Sequence, residues 1–262
     1  MSGESTRVGR LTRIALNSVD PEKLSRFFIG ALGFEPVPEI RPAGGMLLAL
    51  GDTLLELRPV GSDSRLYPFA VPGWSPLFQH CALITGDMAL SFARLTDFGG
   101  STPISTDGPQ RLPTASGGVT AFKFRDPEGH PLEFIAPKPT DQPVIARIDH
   151  SAISVADTAR SIAFYESLGL KVGGHSLNVG IEQQRLDNVP NAVVEVTSLA
   201  LPRGTAPHVE LLCYRGDYHR AVPLPGLDDV AATRLVFAVP DGATMETTRD
   251  PDGHVLQFER CG

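Results

Sequence analysis

The chain has 262 residues, 42% of them apolar, which is enough for two domains of ordinary size with packed cores. Its net charge of -7, without any Lys/Arg-rich block, excludes nucleic acid as the expected partner. No apolar run approaches membrane-spanning length and the opening MSGESTRVGR lacks the apolar core of a leader, so no membrane contact and a cytoplasmic location are expected. The cysteines, Cys81, Cys213 and Cys261, stand far apart and fit reduced thiols rather than a disulfide framework.

In chain order, the first recognisable segment is RIALNSVDPEKLSRFFIGALGFEPV, from Arg13. A β-branched and apolar strand is followed by Asp20, an amphipathic helix, Gly33 and the start of a new strand. Asp20 stands where an N-cap belongs and Gly33 where a helix ends in a left-handed turn. The strand TLLELRP completes this unit. After the Pro/Gly-rich connector YPFAVPGWSPL, in which Trp74 is read as an anchor, the pattern returns at HCALITGDMALSFARLTDFGG with Asp87 as the cap. That unit ends on RDPEGHPLEFI.

A third copy begins HSAISVADTARSIAFYESLGLKVG, capped by Asp157 and closed by Gly169, and runs to the strand HVELLCY. The fourth, RLVFAVPDGATMETTRDPDGHVLQFE, lacks the helix and a strand. Four strand-helix-strand-strand-strand units, the last truncated, therefore predict an α+β fold, cupped mixed sheets with helices on their outer faces. Residues 8–138 are read as a first domain, with units at 11–60 and 78–136. The Pro-rich stretch 139–146 is read as a linker, and 147–260 as a second domain. In the twin hairpins, Asp-Pro presets the turn and Gly129 and Gly253 supply positive φ, so His130 and His254 are expected as turn or rim residues. His175 and His219 are expected in solvated loops.

This succession of units and hairpins resembles the vicinal oxygen chelate superfamily, which includes glyoxalase I, bleomycin-resistance proteins and extradiol dioxygenases. The resemblance implies that paired units make a cup in which side chains from the first and last strands hold a metal. Carried onto this chain, it assigns Glu56, His80 and Glu133 as metal ligands in the first half, with Arg13 at the fourth corner. It assigns His150, Glu210, Arg234 and Gln257 to a second, degenerate pocket in which Arg234 is expected to pair with Glu210. Strand alternation supports the carboxylate assignments: each glutamate is flanked by apolar residues that turn to the opposite face, and a carboxylate in such a setting needs a cation.

One imidazole and two carboxylates suit a single divalent ion, Zn, Mn, Fe, Ni or Co. The resemblance implies Glu133 as the proton-transfer base, and Arg13 either neutralises a glutamate or holds an anionic group of the substrate. The expected activity is lyase, isomerase or dioxygenase chemistry on a small oxygen-rich molecule, by a monomer or homodimer. The alternatives are a metal-free small-molecule binding protein of the bleomycin-resistance type and a catalytically degenerate scaffold.

Overall fold

The computed structural model describes residues 8–38, 44–69, 71–137, 145–201, 207–218, 222–241, 243 and 246–260. His219, Cys261 and most of the expected linker lie outside them. Unit one is β1 (Leu11–Ser18), α1 (Pro21–Leu32), β2 (Glu35–Val37), β3 (Met46–Leu50) and β4 (Thr53–Pro59). Unit two is β5 (Gln79–Thr85), α2 (Met88–Phe98), β6 (Thr102–Pro103), β7 (Gln110–Arg111), a 3-10 turn at Thr114–Ser116, β8 (Thr120–Arg125) and β9 (Pro131–Ala136). Unit three is β10 (Ile145–Ser154), α3 (Thr158–Ser167), β11 (Lys171–Asn178), α4 (Ile181–Asp187), β12 (Val194–Ala200) and β13 (His208–Tyr214). Unit four is β14 (Arg234–Val239), β15 (Thr247–Arg249) and β16 (Val255–Arg260), with no helix among its described residues.

The helices start as the sequence predicts. Asp20, Asp87 and Asp157 each accept a hydrogen bond at 2.9 Å from the backbone N–H three residues on, and α1 ends at Gly33 in the left-handed region. Helix α4 is an insertion that the repeat does not announce. Its C-terminal carbonyls dock on unit two, where Leu186 O accepts from Ser105 Oγ at 2.9 Å and Arg185 O from Thr106 N at 2.8 Å.

The units do not pair in sequence order. The seven-stranded sheet runs β15-β16-β14-β1-β4-β3-β2, joining unit one to unit four. The nine-stranded sheet runs β11-β12-β13-β10-β5-β9-β8-β6, with β7 on β8, joining unit two to unit three. Both seams are antiparallel pairs of first strands, with Ile14 opposite Leu235 in one and Ser151 opposite Cys81 in the other. The expectation that each half of the chain closes its own cup is thereby corrected. All four units offer a first strand of the same character, so the repeat alone does not say which edges meet.

The twin hairpins explain why one phrase is written twice. Asp126 Oδ1 accepts from the N–H groups of Glu128 and His130, and Asp250 Oδ1 accepts from those of Asp252 and His254, all at 2.9–3.0 Å. The arginine before each aspartate donates to the turn glycine's carbonyl and to the connector: Arg125 reaches Gly129 O and Val71 O, and Arg249 reaches Gly253 O and Pro225 O. The second acid closes the strand-to-helix turn of the preceding unit, Glu128 at Ser18, Val19 and Asp20, and Asp252 at Ala156 and Ser161.

His130 and His254 are buried, not rim residues. His130 lies 3.0 Å from Asn17 O and His254 lies 2.9 Å from Ser154 O, each at the end of the preceding unit's first strand. The phrase is a latch that ties unit two to unit one and unit four to unit three across the two sheets. Leu16, Leu57 and Phe237 of one sheet and Leu83, Phe134 and Leu211 of the other belong to one continuous apolar core with residues of the helices, such as Phe28 and Tyr165.

Candidate functional site

The opposite face of the nine-stranded sheet carries the polar residues. His80 on β5 and His150 on β10 flank the seam, and Ala82 and Ala152, each opposite one of the two histidines, leave room between the strands. Glu133 on β9 pairs with Ala82, and Glu210 on β13 pairs with Ala152. Strand register alone thus places two imidazoles and two carboxylates from four strands on one surface.

One donor atom each from His80, Glu133 and His150 lies within 4.8 Å of the others. His80 Nε2 is 2.8 Å from Glu133 Oε2, and His150 Nε2 is 3.4 Å from Glu210 Oε2. His80 Nε2 therefore meets the Glu133 carboxylate, while His80 Nδ1 and His150 Nε2 are buried without a hydrogen-bond partner. Orphaned nitrogens of this kind are costly unless another ligand completes them. His150 Nδ1 does have a partner, Asp149 Oδ2 at 3.1 Å, an arrangement that fixes the ring with Nε2 turned inward. Nitrogen and carboxylate donors so arranged fit a divalent transition metal.

The electrostatics agree. Burial disfavours an ionised Glu133, yet Lys123, His80 and His150 outweigh it and hold its pKa down at about 2. Burial likewise opposes charge on His150, but Glu210, Asp149 and Glu133 raise its pKa to about 9. For His80 burial wins, and its pKa falls below the ordinary value despite Glu133. Glu210 stands further out. Its side chain is 20% exposed and contacts His208 Nε2 at 3.4 Å, with its pKa lowered because His150 and His208 offset its burial.

These groups line a cavity of about 580 Å3 whose wall is shared by units two and three. Ile84, Ile135, Leu186 and Leu212 supply apolar surface, and no Phe, Tyr or Trp is among the described residues lining it. Contrary to the loop reading, His175 is on β11 and lines the cavity. Lys123, on β8 opposite Glu133, is 3% exposed and bonds Asp187 Oδ1 at 2.7 Å. Asp187 Oδ2 in turn accepts from Gln183 at 2.6 Å and Tyr214 at 2.8 Å. None of Lys123, Asp149 and Asp187 was singled out in the sequence. Strand alternation from Glu133 across the hairpin was the available signal for Lys123. A larger cleft of about 800 Å3, lined by the start of α1 and by connector residues such as Leu66, Phe69 and Pro72, contains neither of the two ligand clusters found among the described residues.

Glu56 and Arg13, expected beside His80 and Glu133, are in the other sheet. There Arg13 Nε donates to Glu56 Oε2 at 2.5 Å and its two terminal nitrogens fork onto Glu259. Arg234, expected to pair with Glu210, instead bonds the side chain of Asn17 and, at 2.6 Å, the carbonyl of Leu227. Gln257 is half-buried on β16 opposite Thr247. In this second cup guanidinium groups take the places of imidazoles: Arg13 neutralises Glu56 and Glu259, and Arg234 donates to neutral oxygens. His150 and Glu210, assigned to the degenerate pocket, belong with His80 and Glu133.

Residues 13–135 match a family model described as a glyoxalase-like domain. A search of curated proteins finds no match. Among solved structures, a glyoxalase I variant from Zea mays aligns with a TM-score of 0.63 at 17% identity, over 95% of this chain and 91% of that one. Glyoxalase I of the same plant gives 0.59 at 16% identity, over 95% and 91%. A Bacillus subtilis protein to which a dioxygenase role is ascribed gives 0.59 at 12%, over 97% and 85%. At such identities the likeness is one of fold. The chain therefore has the fold of these glyoxalase I structures, which agrees with the fold that the sequence resemblance implied.

Proposed function

We propose that the chain is a divalent-metal-dependent lyase or isomerase acting on a small oxygen-rich molecule in the cavity between units two and three. The observation that carries this reading is the convergence of His80, Glu133 and His150, with His80 Nδ1 and His150 Nε2 buried and lacking hydrogen-bond partners. These three residues would hold the ion, and Glu210 stands beside them as a fourth donor. A bound divalent ion supplies Lewis acidity to paired substrate oxygens.

The protein's own groups do the rest. Asp149 fixes the ring of His150, and Ala82 and Ala152 keep the floor open. The family resemblance assigned proton transfer to Glu133. We assign it instead to Glu210, because Glu133 is enclosed by His80 while Glu210 is half-buried at the cavity wall with His208 against its other oxygen. Glu210 would take a proton from the carbon next to the bound oxygens and return it to a neighbouring atom. Apolar residues such as Ile135 and Leu212 limit water around that carbon.

A three-donor set of two histidines and one carboxylate is also the ligand type of non-haem iron oxygenases, so dioxygenase chemistry is the second reading, favoured if Glu210 stays off the metal. The metal-free binding alternative has less support, because the cavity offers a flat aromatic ligand no ring to stack on among its described lining residues. The test is metal content after purification without a chelating tag. About one equivalent per chain is expected, lost in His80→Ala and Glu133→Gln. No retained metal after incubation with Mn, Zn, Fe, Co and Ni would reject the proposal.

A further inference from the structure

Besides the proposed ligands the cavity wall holds one further buried charge, Lys123, which helps keep Glu133 ionised. The residue is 3% exposed and pairs with Glu133 across the β8–β9 ladder, and its ammonium lies 5.9 Å from the centroid of the Phe78 ring. Its one hydrogen-bond acceptor among the described residues is Asp187 Oδ1. An ammonium has three N–H donors, so two remain. Asp187 cannot bend to serve them, since Gln183 and Tyr214 hold its other oxygen. A lysine kept only for stability gains nothing from this arrangement, because a buried ion pair is commonly no more stabilising than apolar side chains of the same volume. A lysine kept for a ligand needs what is seen here: a fixed position, a neutralised resting state and spare donors on a cavity wall beside the catalytic donors.

We infer that Lys123 is a specificity-determining residue which binds a carboxylate of the substrate, so that the substrate is an oxygen-rich organic acid and not a neutral carbonyl compound or a cation. The inference rests on the metal reading above. With a divalent ion set against Glu133 and Glu210, and Lys123 set against Asp187, the inner cavity is near neutrality. An acid group therefore enters without meeting net negative charge and gains charge-assisted hydrogen bonds from the ammonium. A cationic substrate would face both the metal and Lys123.

Hydroxamates, which chelate through two adjacent oxygens, separate the two claims. The Co(II)-reconstituted protein is titrated by calorimetry with acetohydroxamate and with the monohydroxamates of malonic and succinic acid. We expect one of the acid-bearing probes to bind about tenfold or more tightly than acetohydroxamate. The Lys123→Met variant should abolish that advantage while leaving the Co(II) content and the affinity for acetohydroxamate unchanged. Should Lys123→Met fail to fold, Lys123→Met combined with Asp187→Asn removes both buried charges and is read in the same way. An absent acid advantage, or one that survives the loss of Lys123, overturns the inference. Failure of acetohydroxamate itself to bind the wild type overturns the metal reading, and the inference with it.

Discussion

At the scale of single residues, the decisive feature is how His150 is held. Asp149 at 3.1 Å occupies Nδ1 and leaves Nε2 for the cavity. Removing that support with Asp149→Ala should weaken metal affinity by roughly 10–100-fold while the metal still binds, as loss of an outer hydrogen bond to a ligand imidazole does. Equilibrium competition with a chelator measures it, and an unchanged affinity would mean the contact is incidental. A pH dependence follows from the same residue. Glu210, Asp149 and Glu133 overcome burial to raise the metal-free pKa of His150 to about 9, so near neutral pH a proton occupies the ring that must be lost to bind metal. Affinity should therefore rise with pH up to about 9, with a proton released on loading below that point, as calorimetry in buffers of different ionisation enthalpy would show.

At the scale of elements, the latch hairpins make a prediction of opposite sense. His130 faces acceptors at both nitrogens, Asp126 Oδ2 at 2.8 Å and Asn17 O at 3.0 Å, which calls for the doubly protonated ring. Burial opposes that charge, but Asp126 outweighs it and raises the pKa above the ordinary 6.5. Its stabilising contribution is therefore complete below about pH 6.5 and is lost as pH rises through the folded-state value. His130→Gln should cost about 1–3 kcal/mol at pH 6 and less at high pH, read from denaturant midpoints. An equal cost at both ends would remove the charge from the account.

Much at this scale was legible in the sequence. The caps Asp20, Asp87 and Asp157 declare themselves by type and spacing, and the Asp-Pro-x-Gly turns declare their glycines. The burial of His130 and His254 was not legible, because each meets a backbone carbonyl a hundred or more residues away, and a carbonyl has no sequence signature. Helix α4 was missed because nothing in a repeat announces an insertion, and with it went Asp187, the partner of Lys123.

At the scale of the whole molecule, the order of the units decides the chemistry. Taken as adjacent halves, the sequence divides its good ligands three and two, with an arginine in each set. The sheets recombine them: units two and three bring His80, Glu133, His150 and Glu210 to one face, and units one and four bring Arg13, Glu56, Arg234 and Gln257 to another. The resemblance pointed to each of these positions and strand alternation supported the three glutamates, but the partition was not legible, since it depends on which of four similar edges pair at long range. Under the proposed function one cup holds the metal, while in the other Arg13 is held between Glu56 and Glu259.

The most direct test of that partition compares two variants by metal stoichiometry. His150→Ala and Glu56→Gln each remove a residue from a different cup, and only the adjacent-half arrangement makes Glu56 a ligand. The account predicts that Glu56→Gln keeps about one equivalent of metal per chain while His150→Ala loses it. Loss of metal in Glu56→Gln with retention in His150→Ala would contradict it.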